Sequence, residues 1–392
     1  MQVKGIIESV LGIARRECKR LLENRIYMFC MVVFPIAVTL FFTSLMGEGQ
    51  PEKMPIGIVD LDNSTTTRRL TRMLDSFQST EVVKHYANFE EARSAMQRNE
   101  IYGFVLYPEG TTSQLLASRQ PKISFYYSYA SLTAGALVFR DMKTAATLGS
   151  AAVGKSVMTA KGCTQEQIMA YLQPIVIDLH MISNPWVNYN IYLSTMLVPG
   201  CLLLFIFLIT AYSFGTELKN NTARELMQRA QGNALLAVTG KLLPQTLIFL
   251  AVMFTYMYYL FGVLDFPHPG GIWPIIVLGV IGVLASQGLA LFFFAMMPSL
   301  RMSMSICSLW GVLSFSLVGS AFPVMAMDGE LQIISFLFPL RHFFTIYQAS
   351  VFNGFPLHDV AINLAALAAF ALLPLVVLPR LGKALNEYVY LQ

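Results

Sequence analysis

Residues Ile191–Phe214 read IYLSTMLVPGCLLLFIFLITAYSF, a run without a single Lys, Arg, Asp or Glu. At a helical rise of about 1.5 Å per residue, such a run crosses the roughly 30 Å hydrocarbon core of a bilayer. Five further runs share the property: Ile26–Met46, Leu242–Leu264, Ile272–Met297, Met302–Met327 and Val360–Pro379. The pattern predicts six transmembrane helices. The composition of the 392 residues agrees, with 55% hydrophobic and only 13% charged. That charged share is about half the soluble norm and excludes a disordered chain, a coiled coil and a purely soluble enzyme. The first run is too long for a signal-peptide core, and no small-residue cleavage site follows it, so it reads as a retained span.

Six spans place both termini on one side, and basic residues say which. Residues 1–25 carry Lys4, Arg15, Arg16, Lys19, Arg20 and Arg25, and the 215–241 loop carries Lys219, Arg224, Arg229 and Lys241. The two short loops opposite, 265–271 and 328–359, hold only Arg341. Both termini are therefore expected in the cytoplasm and residues 47–185 outside it. That segment carries 13 Lys/Arg and 13 Asp/Glu, so the net +4 of the chain lies beside the membrane. A neutral outer domain gives no reason to expect nucleic acid as a partner, whereas lipids are expected to meet the basic residues. The five cysteines show no metal spacing, and Cys163 is alone in the outer segment.

Between spans one and two the pattern predicts a mixed α/β domain. Strands are expected at Pro55–Asp60, Glu81–Tyr86, Tyr102–Tyr107, Lys122–Tyr129 and Pro174–Met181. Helices are expected at Thr65–Phe77, capped by Asn63 or Ser64, and at Phe89–Arg98, Leu132–Thr159 and Gln165–Tyr171. Paired carboxylates, a nucleophile elbow and a His/Cys cluster are all missing from this stretch, so the chain does not read as an enzyme. Gly149–Ser156 fits the phosphate-cradling pattern G-x-x-x-x-G-K-S. Such a loop must leave a strand and open a helix. Here the residues before it read as helix, and the small residues are expected to be a helical packing stretch with no nucleotide role.

Two cytoplasmic pieces stand out. In residues 1–25, Val3, Ile6, Ile7, Val10, Ala14, Cys18, Leu21 and Leu22 recur at helical spacing, with basic residues on the other faces. This predicts an amphipathic helix along the inner membrane surface, serving as a lipid anchor, as a connector to a cytoplasmic motor, or as both. The 215–241 loop opens Gly215-Thr216-Glu217, continues Asn221-Thr222-Ala223-Arg224-Glu225-Leu226, and ends Gly240-Lys241-Leu242-Leu243-Pro244. In that order the motifs resemble the permease subunits of type-2 ATP-binding-cassette (ABC) exporters. There a G-x-E leads into a short coupling helix, and a basic or small residue with Pro opens span three. Val318-Gly319-Ser320-Ala321-Phe322-Pro323-Val324 is similar to the family's G-x-x-F-P signature, which two half-helices follow before span six. Ile58–Ser64 resembles the outer domain of the subgroup exporting drugs or other amphipathic molecules; a domain of this length makes sugar-polymer export less expected.

The resemblance implies a six-helix membrane domain with an N-terminal amphipathic helix and a mixed α/β extracytoplasmic domain. In residue terms these are a connector at 1–25, span one at 26–46, the outer domain at 47–185, and spans two to six at 186–392. The last part includes the coupling loop 215–241 and the half-helices 329–349. It also implies a bacterial inner-membrane exporter permease for drug-like or lipid-like cargo, driven by separate cytoplasmic ATPase subunits. A second permease copy or sister chain is implied, and a periplasmic adaptor is a further partner by analogy. The chain would hold no cofactor, ATP and magnesium being bound by the ATPase. Coupling falls to Glu217, Thr222, Arg224, Glu225, Arg15 and Arg16, with Glu217 and Arg224 foremost and a buried charge pair at the ATPase interface. The pathway or gate falls to Gln287, Gly319, Phe322, Pro323, Pro339 and Arg341.

The half-helix expectation has its own physical ground. Leu331–Leu340 is apolar but too short to span, and Pro339 interrupts it. Non-helical backbone at membrane depth needs protein or a water cavity around it. Arg341 and His342 are expected to face the outer headgroups. Among the few polar side chains inside the spans, Gln245, Ser286, Gln287 and Asn363 stand out; interhelical hydrogen bonds would account for them, and Gln287 is also a candidate for lining the pathway. The alternative function is a non-transporting, membrane-anchored surface protein whose external domain binds a partner.

Overall fold

Charge-free runs become long helices because the bilayer interior offers a peptide group no partner but the chain itself. In the computed structural model, residues 2–387 are described except 118, 175–177, 179, 181–183 and 186. Among the described residues, six helices are long and apolar enough to cross a membrane. They are Arg25–Leu45, Tyr189–Lys219, Ala234–Val263, Ile272–Met296, Leu300–Leu317 and Leu357–Glu387, hereafter spans 1 to 6. The chain divides into two units, residues 1–47 with 182–392, and residues 48–181.

Several ends differ from the sequence expectation. Span 2 continues to Lys219 and span 3 starts at Ala234, so the connection shrinks to 220–233 around a short helix, Ala223–Arg229. Glu217, Gly240 and Lys241 therefore lie in helices and not in a loop. Asn233 sets the new start, its side chain accepting from the Leu235 N–H. Span 5 stops at Leu317, well short of Met327. Gly319 sits at φ +98°, outside the helical region, and Pro323 leads into a single 3₁₀ turn, Val324–Ala326. Span 6 runs past Pro379 to Glu387. The half-helices are Gly329–Ser335 and Pro339–Ile346, the second continuing through a π turn, Tyr347–Phe352. Pro339 starts its helix, where a missing N–H costs nothing.

The N-terminal helix is Gln2–Glu23. It ends because Asn24 is extended (φ −95°, ψ 110°) and caps span 1 through its side chain. One side of it is covered by the rest of the chain. Ile13, Ala14, Glu17 and Leu21 are buried, whereas Ile6, Ile7, Leu11, Cys18 and Leu22 are exposed. The protein-covered face contains an acid.

Spans 2 and 4 are the most enclosed of the six. Gly288 of span 4 allows span 6 to approach at backbone distance, since a Cβ there would lie 2.2 Å from the Phe370 carbonyl oxygen. A separate apolar cluster joins Ile13 of the N-terminal helix, Leu226 and Met227 of the short helix, Phe214, Phe294 and Leu381.

In the unit 48–181 the strands are β1 (Met54–Asp60), β2 (Thr80–His85), β3 (Gly103–Tyr107) and β4 (Ser124–Tyr127). The sheet order is β2-β1-β3-β4, with β2 and β3 parallel to β1 and β4 antiparallel to β3. Ser64 caps the helix Thr65–Asp75 in a reciprocal box with Thr67. A helix at Thr111–Leu116 adds to those expected. The expected strand at 174–181 lies largely outside the described residues. Residues 149–156 are internal to the helix Leu132–Ala160. Gly149 there meets Leu70 and Gly154 meets Leu172, with a hypothetical Cβ 2.6 Å from each neighbour. The small residues of the phosphate-loop look-alike therefore serve helix packing.

Candidate coupling site

The feet of spans 2 and 3 and the N-terminal helix meet at a buried set of charges. Glu217, on the last turn of span 2, has no exposed surface. Its carboxylate accepts two bonds from Arg16, Nη1 to Oε1 at 2.8 Å and Nη2 to Oε2 at 3.1 Å. This is the forked geometry that guanidinium and carboxylate favour. Lys241 Nζ of span 3 reaches Oε1 at 2.9 Å, and Arg20 and the Thr222 hydroxyl also donate to Glu217.

Lys241 is equally enclosed and bridges to a second acid. Its Nζ lies 2.7 Å from Oε2 of Glu17, which is 1% exposed. The other Glu17 oxygen accepts from Gln245 Nε2 at 2.9 Å and Ser213 Oγ at 3.1 Å. Two carboxylates and three cations thus form one chain of contacts from the N-terminal helix through span 2 into span 3. Partial burial works against the charge on Arg16, but the hydrogen bond and charge of Glu217 outweigh it, so its pKa is raised. Gly240, beside Lys241, lets the N-terminal helix close in: a Cβ there would sit 2.8 Å from that of Ile13.

The network reaches the surface through Arg16. Its Nε lies 3.7 Å from Glu225 of the short helix, and Glu225 is also held by Arg229 at 3.0 Å. Ala223, Leu226 and Met227 bury one side of that helix and leave Arg224, Glu225 and Arg229 outward. Arg224 Nε donates to the Asn386 carbonyl at 3.2 Å, tying the helix to the end of span 6.

Glu217, Thr222, Arg16 and Glu225 are therefore brought together, while Arg224 and Arg15 stand apart on exposed surface. One expectation is corrected. Glu217 is not half of a pair at a partner interface, because its own chain satisfies and encloses it. Glu17, Arg20 and Lys241 were not among the expected site residues. An acid at Glu17, with Ile13, Ala14 and Leu21 at helical spacing around it, was the available signal.

The expected gate residues fall in three places. Gln287 is buried in span 4, its Oε1 accepting from Thr246 of span 3 at 2.7 Å. Gly319 and Pro323 make the bend after span 5, with Phe322 exposed between them. Pro339 is buried at the start of the second half-helix. Arg341 donates to Ser335 Oγ at 2.6 Å and lies over the Phe336 ring. His342 does not face headgroups: it is fully buried between Asn363 Oδ1, at 2.8 Å, and the Phe336 carbonyl, at 2.9 Å. Asn363 thereby finds its partner in the half-helix.

Residues 25–378 match the model of a family described as ABC-2 family transporter protein. No curated protein matches the chain.

Proposed function

The chain belongs to the ABC-2 family of transporter proteins, and we propose that it is an exporter permease for amphipathic, drug-like or lipid-like molecules. It is a multi-pass membrane protein and a transport component, which in ABC transporters works with an ATPase subunit. In our reading both termini lie in the cytoplasm of a bacterium and residues 48–181 outside its inner membrane, as the basic residues at one end of the spans suggest. Two copies, or this chain and a sister, enclose the pathway, and a periplasmic adaptor is the natural partner of the outer unit.

The observation that carries the coupling reading is the Arg16–Glu217–Lys241–Glu17 network. An ATPase pressing on the outward side of the helix Ala223–Arg229 and on the N-terminal helix meets a joint, not two loose segments. Arg16 hands displacement to Glu217 and span 2, and Lys241 hands it to span 3. The half-helices 329–335 and 339–346 form the outer gate. Their polar ties, Arg341 to Ser335 and His342 to Asn363, support this reading by fixing the half-helices to each other and to span 6.

The test is ATP-dependent accumulation of an amphipathic fluorescent dye by inside-out vesicles containing this chain and its ATPase. Wild type accumulates dye, and Glu217→Gln abolishes accumulation at unchanged membrane levels. Dye movement in the opposite direction, or full activity of Glu217→Gln, would remove the export or the coupling assignment respectively.

A further inference from the structure

The elbow between the N-terminal helix and span 1 borders a cleft of about 630 Å³. Its walls include Arg20, Glu23, Arg25, Lys219, Asn24 and Asn220. Three facts fix its depth and charge. Arg25 opens span 1, Lys219 closes span 2 and Leu300 opens span 5, so the cleft lies where helices leave the hydrocarbon. Tyr27 and Tyr212 stand in its wall edge to face, with ring centroids 5.4 Å apart. Paired tyrosines at that level suit the boundary between acyl chains and headgroups.

The charges are unevenly committed. Arg20 is bound to Glu217, and Glu23 lies 3.6 Å from Lys19. Arg25 and Lys219, from different helices, have no acidic partner among the described residues. Two cations therefore border one polar cleft whose carboxylate, Glu23, is engaged by Lys19. Directly after Arg25, Ile26, Phe29 and Val33 are each about half exposed and follow one face of span 1.

We propose that this cleft binds the phosphate of an anionic lipid headgroup, held between Arg25 and Lys219, with its acyl chains along Ile26, Phe29 and Val33. Asn24 and Asn220 supply neutral donors beside the cations. The lipid seats the elbow, so the membrane itself becomes a ligand at the hinge of span 1. The inference uses only the chain's standing as a multi-pass membrane protein and is independent of the exporter reading.

Native mass spectrometry of the purified full chain, titrated with phosphatidylglycerol, tests it. Saturable binding is expected, with phosphatidylcholine binding more weakly. Removing two cations from an anionic lipid site costs roughly 30-fold in affinity. Arg25→Gln with Lys219→Gln should show that loss, while Arg380→Gln with Lys383→Gln, in a separate cleft lined also by Pro298 and Glu387, should not. Should the Arg25/Lys219 double variant elute as aggregate, Lys219→Gln alone, at an exposed helix end, is expected to lose roughly 5-fold. Unchanged phosphatidylglycerol binding in these cleft variants would overturn the proposal. Displacement of the lipid by millimolar inorganic phosphate would also overturn it, by assigning the site to a soluble anion.

Discussion

Replacing Lys241 by Met removes the cation that, among the described residues, forms the ion pair of Glu17. Glu17 is 1% exposed and Glu217 fully buried, so water cannot take over the lost pairing. Glu217 retains Arg16 and Arg20, but Glu17 keeps only the neutral donors Gln245 and Ser213. Breaking a buried pair on one side costs roughly 3–5 kcal/mol, because a charge is left behind. For a unit of about this size each kcal/mol corresponds to roughly 2–4 °C in Tm, so a fall on the order of 10 °C is expected. The double variant Glu17→Gln, Lys241→Met removes both charges and should recover much of that loss. A double-mutant cycle read by thermal melting of detergent-solubilised protein therefore predicts strong non-additivity. If the double variant melts at the sum of the two single losses, the pair is not buried as a unit, and the joint described above does not exist.

Three further outcomes separate the parts of the site. Arg224→Ala, on exposed surface, should leave Tm unchanged within the effect of about 0.5 kcal/mol usual for such positions, yet reduce ATP-dependent dye accumulation; a large fall in Tm would contradict its outward placement. Gly240→Leu must displace Ile13, whose Cβ lies 2.8 Å from the position a side chain would take; transport is expected to fail while ATP hydrolysis by the complex continues, which paired hydrolysis and uptake assays will read. Lys155→Ala, in the phosphate-loop look-alike, is expected to leave nucleotide photolabelling of the chain at background and transport at wild-type level; labelling that depends on Lys155 would reinstate the loop.

The spans were legible because charge is excluded from hydrocarbon, so each one announces itself in composition. Their ends were less so. Glu217 and Lys241 extend helices beyond the apolar run, and a rule keyed to absence of charge stops before them. Span 5 erred the other way: Ser320–Met327 is uncharged, yet Gly319 has already left the helix. The spacing of the N-terminal helix shows an apolar stripe with basic flanks, but not that the face packed against spans 2 and 3 carries Glu17. An acid inside such a stripe signals a buried partner without naming it, and the countercharge lies on span 3. His342 illustrates the same limit, since its burial depends on Asn363 in another helix. In the 48–181 unit, strand positions follow from alternation, but the order β2-β1-β3-β4 depends on crossover packing that no single strand encodes.

The countercharges also set an order of events during synthesis. Arg16 is separated from Glu217 by 201 residues, and Glu17 from Lys241 by 224. At the usual elongation rate of roughly 5–20 residues per second, the N-terminal helix waits on the order of 10–45 s for its partners to be made. Until then its acid and two arginines must stay hydrated. The nascent helix therefore cannot settle until spans 2 and 3 have been delivered to the membrane, and its docking is a late checkpoint on insertion. A chain truncated before Lys241 would retain its early spans but lack that closure, leaving an exposed, mispaired segment for quality control to find.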